Sequence, residues 1–195
     1  MFDNLRADFA RARVDRERTL RLGGWKKSIA LQNFRILLAL TTWSVISYRY
    51  SRWVLKVRVP VVRQLLSLSS LLVQRWTELW TGVSIHREAD IGPGFIIHTP
   101  YAICIGPTKI GANCTVGTGV LIACGSRGVG DNVYFGPGAK LIGNARIGNN
   151  VVVVANSLVL TDIPDNTTIV GVPARIKLPG GQPRRFQKAA VSATK

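Results

Sequence analysis

The sequence of 195 residues is short of acidic residues, histidine and cysteine. Ten Asp and Glu stand against 26 Lys and Arg, a formal net charge of +16 that indicates an anionic partner. With only two histidines, His86 and His98, the chain lacks the three imidazoles of a zinc carbonic anhydrase site, and we expect no metal. Three cysteines without a pairing pattern favour reduced thiols and a cytoplasmic protein.

Long apolar runs are also scarce. The longest charge-free run of the N-terminal part, residues 36–48, has about 13 residues, whereas a membrane-spanning helix needs roughly 20. The N-terminus does not show the basic and then apolar layout of a signal peptide. We therefore expect neither a membrane span nor export.

The first 80 residues, called the leader below, have a helical pattern. We predict a helix capped by Asp3 or Asn4 that runs to about Leu22 and stops at residues 23–24. A second, more apolar helix follows over residues 26–56, and a third runs from Pro60 to about Trp80 with a wide apolar face. Arg11 and Asp15, spaced i,i+4, are expected to support the exposed face of the first helix.

All five tryptophans of the chain lie in the leader, beside Arg and Lys. This composition is typical of amphipathic helices that lie in a membrane interface, so we expect peripheral association with an anionic inner membrane surface. Packing of the apolar faces against the rest of the protein or against neighbouring subunits is the alternative. No nucleic-acid recognition motif is present, and we expect no nucleic-acid partner.

A period of six residues organises the stretch from Val129 to Leu160. An apolar residue opens each hexad, and a small or β-branched residue follows four places later in most hexads. The opening residues are Val129, Phe135, Leu141, Ile147, Val153 and Val159. Such a period predicts a parallel β-helix, in which three hexads make one turn and stacked turns bury a continuous core. An ordinary β-sandwich of short strands does not hold a strict period of six.

The array extends back to about Val83, which gives a β-helix of four to five turns over residues 81–178 and leaves residues 179–195 as a flexible basic tail. The step slips to seven residues between Ile103 and Ile110 and between Ile122 and Val129. Slips in a repeat mark loops on the functional face. A short prism of this kind is expected to form a homotrimer.

Two further motifs carry a family resemblance. Residues 82–106 are GVSIHREADIGPGFIIHTPYAICIG, and residues 170–176 are VGVPARI. They resemble the serine acetyltransferase branch of the left-handed β-helix, hexapeptide-repeat acyltransferases. With the basic, Trp-rich leader, the pattern looks most like acetyltransferases of colanic acid and other exopolysaccharide clusters. The resemblance implies that the β-helix is left-handed and that acetyl-CoA is the acyl donor.

The resemblance also implies residue roles. His98 falls on the catalytic histidine of the family, and a neutral imidazole can take the proton of an attacking hydroxyl. Turns of the later coils are expected to contact coenzyme A, with cations for its phosphates beyond them. These cofactor-binding positions are Ala139, Lys140, Ala155, Asn156, Arg175 and Lys177, and the tail residues Arg184, Arg185 and Lys188 are weaker candidates for the phosphates. His86 is expected to be structural.

The sequence departs from true serine acetyltransferases at three places. The Asp that precedes their histidine is Ile97 here, and their acidic position in the first coil is Ser84. Their long histidine-bearing loop is reduced to residues 125–128, in which Arg127 carries the only charge. We therefore place the acceptor contacts at the two slips and assign Tyr101 and Arg127 to substrate binding.

These observations favour an acetyl-CoA-dependent O-acetyltransferase that acts on a hydroxyl of a polysaccharide precursor or lipid-linked sugar, with His98 as general base. Serine O-acetyltransferase of cysteine biosynthesis is the enzymatic alternative. A membrane-bound trimeric scaffold for glycan assembly is the alternative without catalysis.

Overall fold

A computed structural model describes residues 2–22, 40–177 and 183–184, with three helices ahead of a parallel β-helix. Helix α1 spans Phe2–Leu22, α2 spans Leu40–Val54 and α3 spans Pro60–Thr81. Proline at the first position suits the start of α3, because it has no N–H to leave unpaired there. Gly82 ends α3 with a left-handed φ of 62°, and its N–H donates to the Glu78 carbonyl at 2.8 Å.

The helix ends that the structure describes lie close to the predicted ones. Helix α1 begins at Phe2, so Asp3 lies in its first turn and not at a cap position. Helix α3 starts at Pro60 as predicted and extends one residue beyond Trp80. The expected stop at residues 23–24 and the first part of the second helix lie outside the described residues. Within the described part of the chain, no helix is both long and apolar enough to cross a bilayer.

Sixteen short strands follow within the described residues. They are β1 Val83–Ile85, β2 Asp90–Ile91, β3 Ile96–Ile97, β4 Ile103–Ile105, β5 Lys109–Ile110, β6 Thr115–Val116, β7 Leu121–Ile122, β8 Gly128–Val129, β9 Tyr134–Phe135, β10 Lys140–Leu141, β11 Arg146–Ile147, β12 Val152–Val153, β13 Leu158–Val159, β14 Thr168–Val170, β15 Arg175–Lys177 and β16 Pro183–Arg184. The strands up to β14 pair in parallel, whereas β15 and β16 add antiparallel at the end.

Three sheets form the sides of the β-helix, and successive strands visit them in turn. The first sheet has the order β1-β4-β7-β10-β13, and the second has β11-β8-β5-β2. The third has β16-β15-β14-β12-β9-β6-β3. Five parallel strands in the first and third sheets correspond to about five turns, which confirms the predicted parallel β-helix.

The core consists of the residues that the hexad pattern selects. Phe135, Leu141, Ile147, Val153 and Val159, which open five of the six hexads, are each 0% exposed. The small residues four places later are also buried, because each lies inside a bend where a larger side chain does not fit: Val133, Ala139, Ala145, Val151 and Ser157. Burial of these apolar layers stabilises the fold.

The position of the first slip differs from the prediction. Strand pairing aligns Ile105 with Ile122 and with Ile85, so Ile105 and not Ile103 holds the hexad position. The step from Ile97 is therefore eight residues, and the next step, to Ile110, is five. The extra residues lie directly after His98. The prediction misplaced the slip because side chains alternate along β4, so that Ile103 and Ile105 both point inward.

Candidate active site

His98 lies at the corner where the third sheet passes into the first. It follows β3, and its backbone N–H donates to the Val116 carbonyl at 3.0 Å, which continues the ladder to β6. The chain then turns through Tyr101 and Ala102, whose φ angles are 84° and 54°. Residues other than glycine rarely adopt such angles, and they concentrate at functional sites.

Hydrogen bonds hold this turn in place. The Tyr101 N–H donates to the Thr81 carbonyl at 2.9 Å, which ties the turn to the end of α3. The Tyr101 carbonyl accepts the Gly119 N–H at 3.1 Å and the Thr118 hydroxyl at 3.0 Å. The phenol ring points outward and is exposed, as an acceptor contact requires. The predicted substrate residue Tyr101 therefore lies on the same corner as His98.

The His98 ring has neighbours from two elements. Its Nδ1 atom lies 3.7 Å from the Asp15 carboxylate of α1, and its ring lies edge-on to Tyr134 of β9, with centroids 6.3 Å apart. The side chains of His98 and Asp15 are 41% and 40% exposed, so substrate has access to the ring. A partner at Nδ1 leaves Nε2 as the ring atom for an acceptor hydroxyl.

Neither sheet position that carries an acid in the family provides a carboxylate here. Ile97 points into the core, where it is 5% exposed, and Ser84 lies in β1 between two buried residues. The acidic neighbour of His98 comes instead from the leader, which the sequence did not predict. The prediction that Arg11 and Asp15 support an exposed face of α1 was wrong, because this face is turned towards the β-helix.

Helix α1 is fixed to the β-helix by a ladder of polar contacts. The Arg11 guanidinium donates to the Gly94 carbonyl, to the Cys114 carbonyl at 3.0 Å and to the Thr115 hydroxyl at 3.0 Å. The Asp8 carboxylate accepts the Phe95 N–H at 2.8 Å. Asp8, Arg11 and Asp15, at i, i+3 and i+7, therefore share one face of the helix.

Asp8 also forms a buried ion pair with Arg49 of α2. The Asp8 Oδ2 and Arg49 Nε atoms are 3.1 Å apart, and the two side chains are 7% and 4% exposed. Burial raises the pKa of the Asp8 carboxyl, and the Arg49 charge opposes that rise. Arg49 also donates to the carbonyls of Ile91 at 2.5 Å and Gly92 at 2.6 Å, so it joins both helices to the first turn of the β-helix.

The predicted donor-side turns stack on the corner that bears His98. The Gly138 N–H donates to the Thr118 carbonyl and the Asn156 N–H to the Pro137 carbonyl, both at 2.8 Å. Asn156 has a φ of 57°, and a Cβ at Gly138 would collide with its side-chain oxygen, so the backbone is closely approached there. Ala155 is exposed beside Asn156, whereas the Ala139 side chain is fully buried and its N–H and carbonyl already pair with Gly136 and Leu121.

The basic residues predicted to contact coenzyme A lie at different distances from His98. Lys140 is exposed at the start of β10, next to the stacked corner. Arg175 and Lys177 lie on β15, five strands from β3 in the third sheet, or about 24 Å at ~4.8 Å a strand. Of the predicted tail cations, Arg184 lies in β16 and the others lie outside the described residues.

Arg127 is placed away from this corner. It precedes β8, where the first sheet passes into the second, and its guanidinium pairs with Asp162 and donates to the Asn144 carbonyl at 3.2 Å. The hydrogen bond from Arg127 holds the pKa of Asp162 below its usual range. Within one chain, the structure does not bring Arg127 together with His98 and Tyr101.

His86 has the environment of a turn residue. Its N–H donates to the Ile105 carbonyl at 2.8 Å, and its Nδ1 atom accepts the Glu88 N–H at 3.3 Å. The two histidines of the chain therefore differ: Nδ1 of His86 faces a donor, whereas Nδ1 of His98 faces a carboxylate.

The chain is similar to known transferases. Residues 128–161 match the bacterial transferase hexapeptide (six repeats) family. The chain is 34% identical over 184 residues to a serine acetyltransferase of Synechococcus elongatus. The alignment covers 90% of this chain and 68% of that protein. A serine acetyltransferase of Staphylococcus xylosus is 38% identical over 115 residues, 54% of this chain and 52% of the relative.

A solved structure described as serine acetyltransferase in complex with CoA is also similar. Its TM-score is 0.60 at 29% identity, over 71% of this chain and 57% of that chain. The chain thus spans about half to two thirds of the length of these proteins. All three are serine acetyltransferases, so they do not support the narrower expectation of an exopolysaccharide or colanic acid cluster enzyme.

Proposed function

Because the chain belongs to the serine acetyltransferase family of hexapeptide-repeat transferases, we propose that it transfers the acetyl group of acetyl-CoA to a hydroxyl, with His98 as general base. The observation that carries the proposal is the position of His98. It is a half-exposed imidazole, with a carboxylate beside Nδ1, on the irregular corner where the donor-side turns stack. A related protein has been solved with CoA, which supports the choice of donor.

In the proposed reaction, Nε2 of His98 removes the proton of the acceptor hydroxyl as its oxygen attacks the thioester carbonyl carbon. The C–S bond then breaks, and the leaving thiolate takes the proton back from the imidazolium. The products are an acetyl ester and the free thiol of CoA. Backbone N–H groups at the bends stabilise the oxyanion. Holding both substrates at one corner supplies a further part of the rate.

The donor groove in this proposal runs along the stacked corner. Backbone groups at Ala139, Lys140, Ala155 and Asn156 contact the pantetheine arm, and Arg175 and Lys177 bind phosphates as charge-assisted donors. A groove on the outer edge of a prism needs a second wall. We infer that a neighbouring copy in a homotrimer supplies it, which also brings another chain's Arg127 within range of the acceptor.

Serine is the acceptor that the relatives favour, because the similar proteins are serine acetyltransferases. A sugar hydroxyl is the second candidate, and Ser84 and Ile97 favour it. Where a carboxylate to pair with the serine ammonium is expected, the first coil here carries a hydroxyl and a buried isoleucine.

The test is thiol release from acetyl-CoA with a panel of acceptors: serine, free sugars, nucleotide sugars and lipid-linked glycans. We expect turnover with one class and little with the rest. Serine turnover with kcat/KM above that of every glycan assigns the serine role, and the reverse order assigns the glycan role. If no acceptor accelerates thiol release above the hydrolysis rate, the enzymatic proposal fails and the scaffold alternative takes its place.

We further propose that α3 lies on the inner surface of the cytoplasmic membrane. Its outer face exposes large apolar side chains, among them Leu65, Leu72, Trp76 and Leu79, at 66 to 80%. Arg58 and Arg63 are exposed on or next to the helix, where each cation adds about 1 kcal/mol against an anionic leaflet, whereas Arg75 pairs with Glu78. An apolar face bordered by cations is complementary to lipid head groups and acyl chains.

Flotation with liposomes tests this second proposal. The full chain is expected to float with vesicles that contain anionic lipid and to float less at high salt. Leu65→Ser with Leu72→Ser is expected to abolish flotation, whereas Ile142→Ser with Leu160→Ser, two exposed apolar positions of the β-helix, is the matched control. Unchanged flotation of the α3 variant contradicts membrane binding. A variant that dissociates into smaller oligomers and still floats assigns the face to protein packing.

A further inference from the structure

We propose that Asp15 positions the His98 ring, an inference that rests on the proposed function. The leader helix supplies a carboxylate beside His98, where Ile97 and Ser84 of the β-helix supply none. Asp15 accepts the Nδ1–H of the neutral ring, which fixes one tautomer and leaves the Nε2 lone pair towards the acceptor hydroxyl. The observed separation of 3.7 Å is longer than a hydrogen bond, and catalytic hydrogen bonds that are long in the free enzyme tighten once substrate binds.

The turns of α1 that precede Asp15 hold it in place. Arg11, one turn earlier on the same face, donates to backbone of the second coil and to the Thr115 hydroxyl. Asp8, two turns before Asp15, is buried with Arg49 and accepts the Phe95 N–H, three residues before His98 in the chain. Two anchored turns fix both the rotation and the height of the helix over β3. Asp15 therefore reaches the ring as part of a docked element.

The other elements around His98 leave the role to α1. Among the described residues, Asp15 of α1 and Tyr134 of β9 are the titratable side chains that contact the ring. Tyr134 meets the ring edge-on at 6.3 Å between centroids, which is a packing contact. On the β-helix side, Ile97 faces the core and Ser84 carries no charge. Of these elements, α1 is the one that offers Nδ1 a carboxylate.

The key variant is Asp15→Asn, compared with Asp15→Glu and with Asp3→Asn. Asp15→Asn is expected to lower kcat at least tenfold with the KM for acetyl-CoA unchanged, less than the ~10⁴-fold loss for a fully buried triad carboxylate. Asp15→Glu keeps the charge, and its extra methylene fits a half-exposed site, so it recovers most of kcat. Asp3→Asn removes an exposed charge from the first turn of the same helix, about 18 Å away along the axis, and keeps full activity.

Imidazole ¹⁵N spectra report the tautomer of His98, which would not change if Asp15 had only a structural role. The chain has two histidines, so a His86→Gln variant assigns both ring systems. We expect the Nδ1–H tautomer at His98 and the Nε2–H tautomer at His86, whose Nδ1 accepts a backbone N–H. In Asp15→Asn the His98 tautomers are expected to mix, while the His86 signals stay unchanged.

The outcomes separate this inference from the proposed function. An inactive His98→Ala with a fully active Asp15→Asn overturns the role of Asp15 and leaves His98 as base. Activity in His98→Ala overturns the base itself. An Nε2–H tautomer at His98 in the unmodified protein, or a fall in kcat of Asp15→Asn without a change of tautomer, also overturns the inference.

Discussion

His98→Ala is expected to lower kcat for acetyl transfer by about 10²- to 10⁴-fold, the usual contribution of a general base. Alanine removes the imidazole but leaves the N–H that pairs with the Val116 carbonyl, so the corner keeps its backbone ladder. The side chain is 41% exposed, and its loss opens no cavity in the core. The measurement is the rate of thiol release at saturating acetyl-CoA with the best acceptor of the panel.

His86→Ala is the matched control for this result. It removes the other imidazole of the chain, which lies on a turn after β1 and accepts the Glu88 N–H. We expect its kcat to stay within about twofold, since the surface position carries no catalytic contact in the proposed site. Equal losses in the two variants, or acetyl transfer by His98→Ala at the unmodified rate, would remove His98 from the mechanism.

Much of the fold was predictable because a β-helix repeats one local rule. Each hexad sets an apolar residue inside a strand and a small residue inside the next bend, so Phe135 and Ala139 could be placed in the core without knowing any contact. The family assignment at the level of hexapeptide-repeat acyltransferases is likewise confirmed. Local periodicity is sufficient where each turn contacts only its neighbours.

The rule failed where the repeat is interrupted. Ile103 and Ile105 are both buried in β4, and periodicity alone could not tell which of them aligns with Ile122. That choice depends on the turn through Tyr101 and Ala102, which is held by Thr81 at the end of α3 and by Thr118 and Gly119 of the next turn. A contact with another element therefore decides the register beside His98.

Asp15 was missed for the same physical reason. Its spacing from Arg11 fits an exposed i,i+4 pair equally well, and only the docking of α1 turns both residues to the β-helix. A signal was present in the i, i+3, i+7 spacing of Asp8, Arg11 and Asp15, which marks one polar face on a helix. The sequence shows that polar face, but it does not show that the face packs against the β-helix.

Arg49→Met is expected to lower the free energy of unfolding by about 3–5 kcal/mol, because it leaves the Asp8 carboxylate buried without its partner. The carbonyls of Ile91 and Gly92 lose their donors as well. Urea denaturation followed by circular dichroism measures the loss. Arg52→Met is the matched control on the same helix: its pair with Asp90 is exposed, so the cost is about 0–1 kcal/mol.

The effect of Arg49→Met should depend on the charge of Asp8. Burial raises the pKa of that carboxyl and Arg49 opposes the rise, so without Arg49 the group takes up a proton more readily. The deficit is therefore largest when Asp8 is ionised and shrinks as pH falls. Asp8→Asn added to Arg49→Met should recover part of the stability, since an amide still accepts the Phe95 N–H without a buried charge. A double variant less stable than Arg49→Met at neutral pH would contradict this account.

The same ion pair connects stability to catalysis, because it docks the helix that carries Asp15. Arg49→Met, assayed at a temperature where it stays folded, is therefore expected to lose kcat in the same direction as Asp15→Asn, while Arg52→Met keeps it. The two losses should not add in an Asp15→Asn, Arg49→Met double variant, since a displaced helix has no carboxylate left to remove. Full additivity would show that Arg49 acts on the site by a route other than the position of α1.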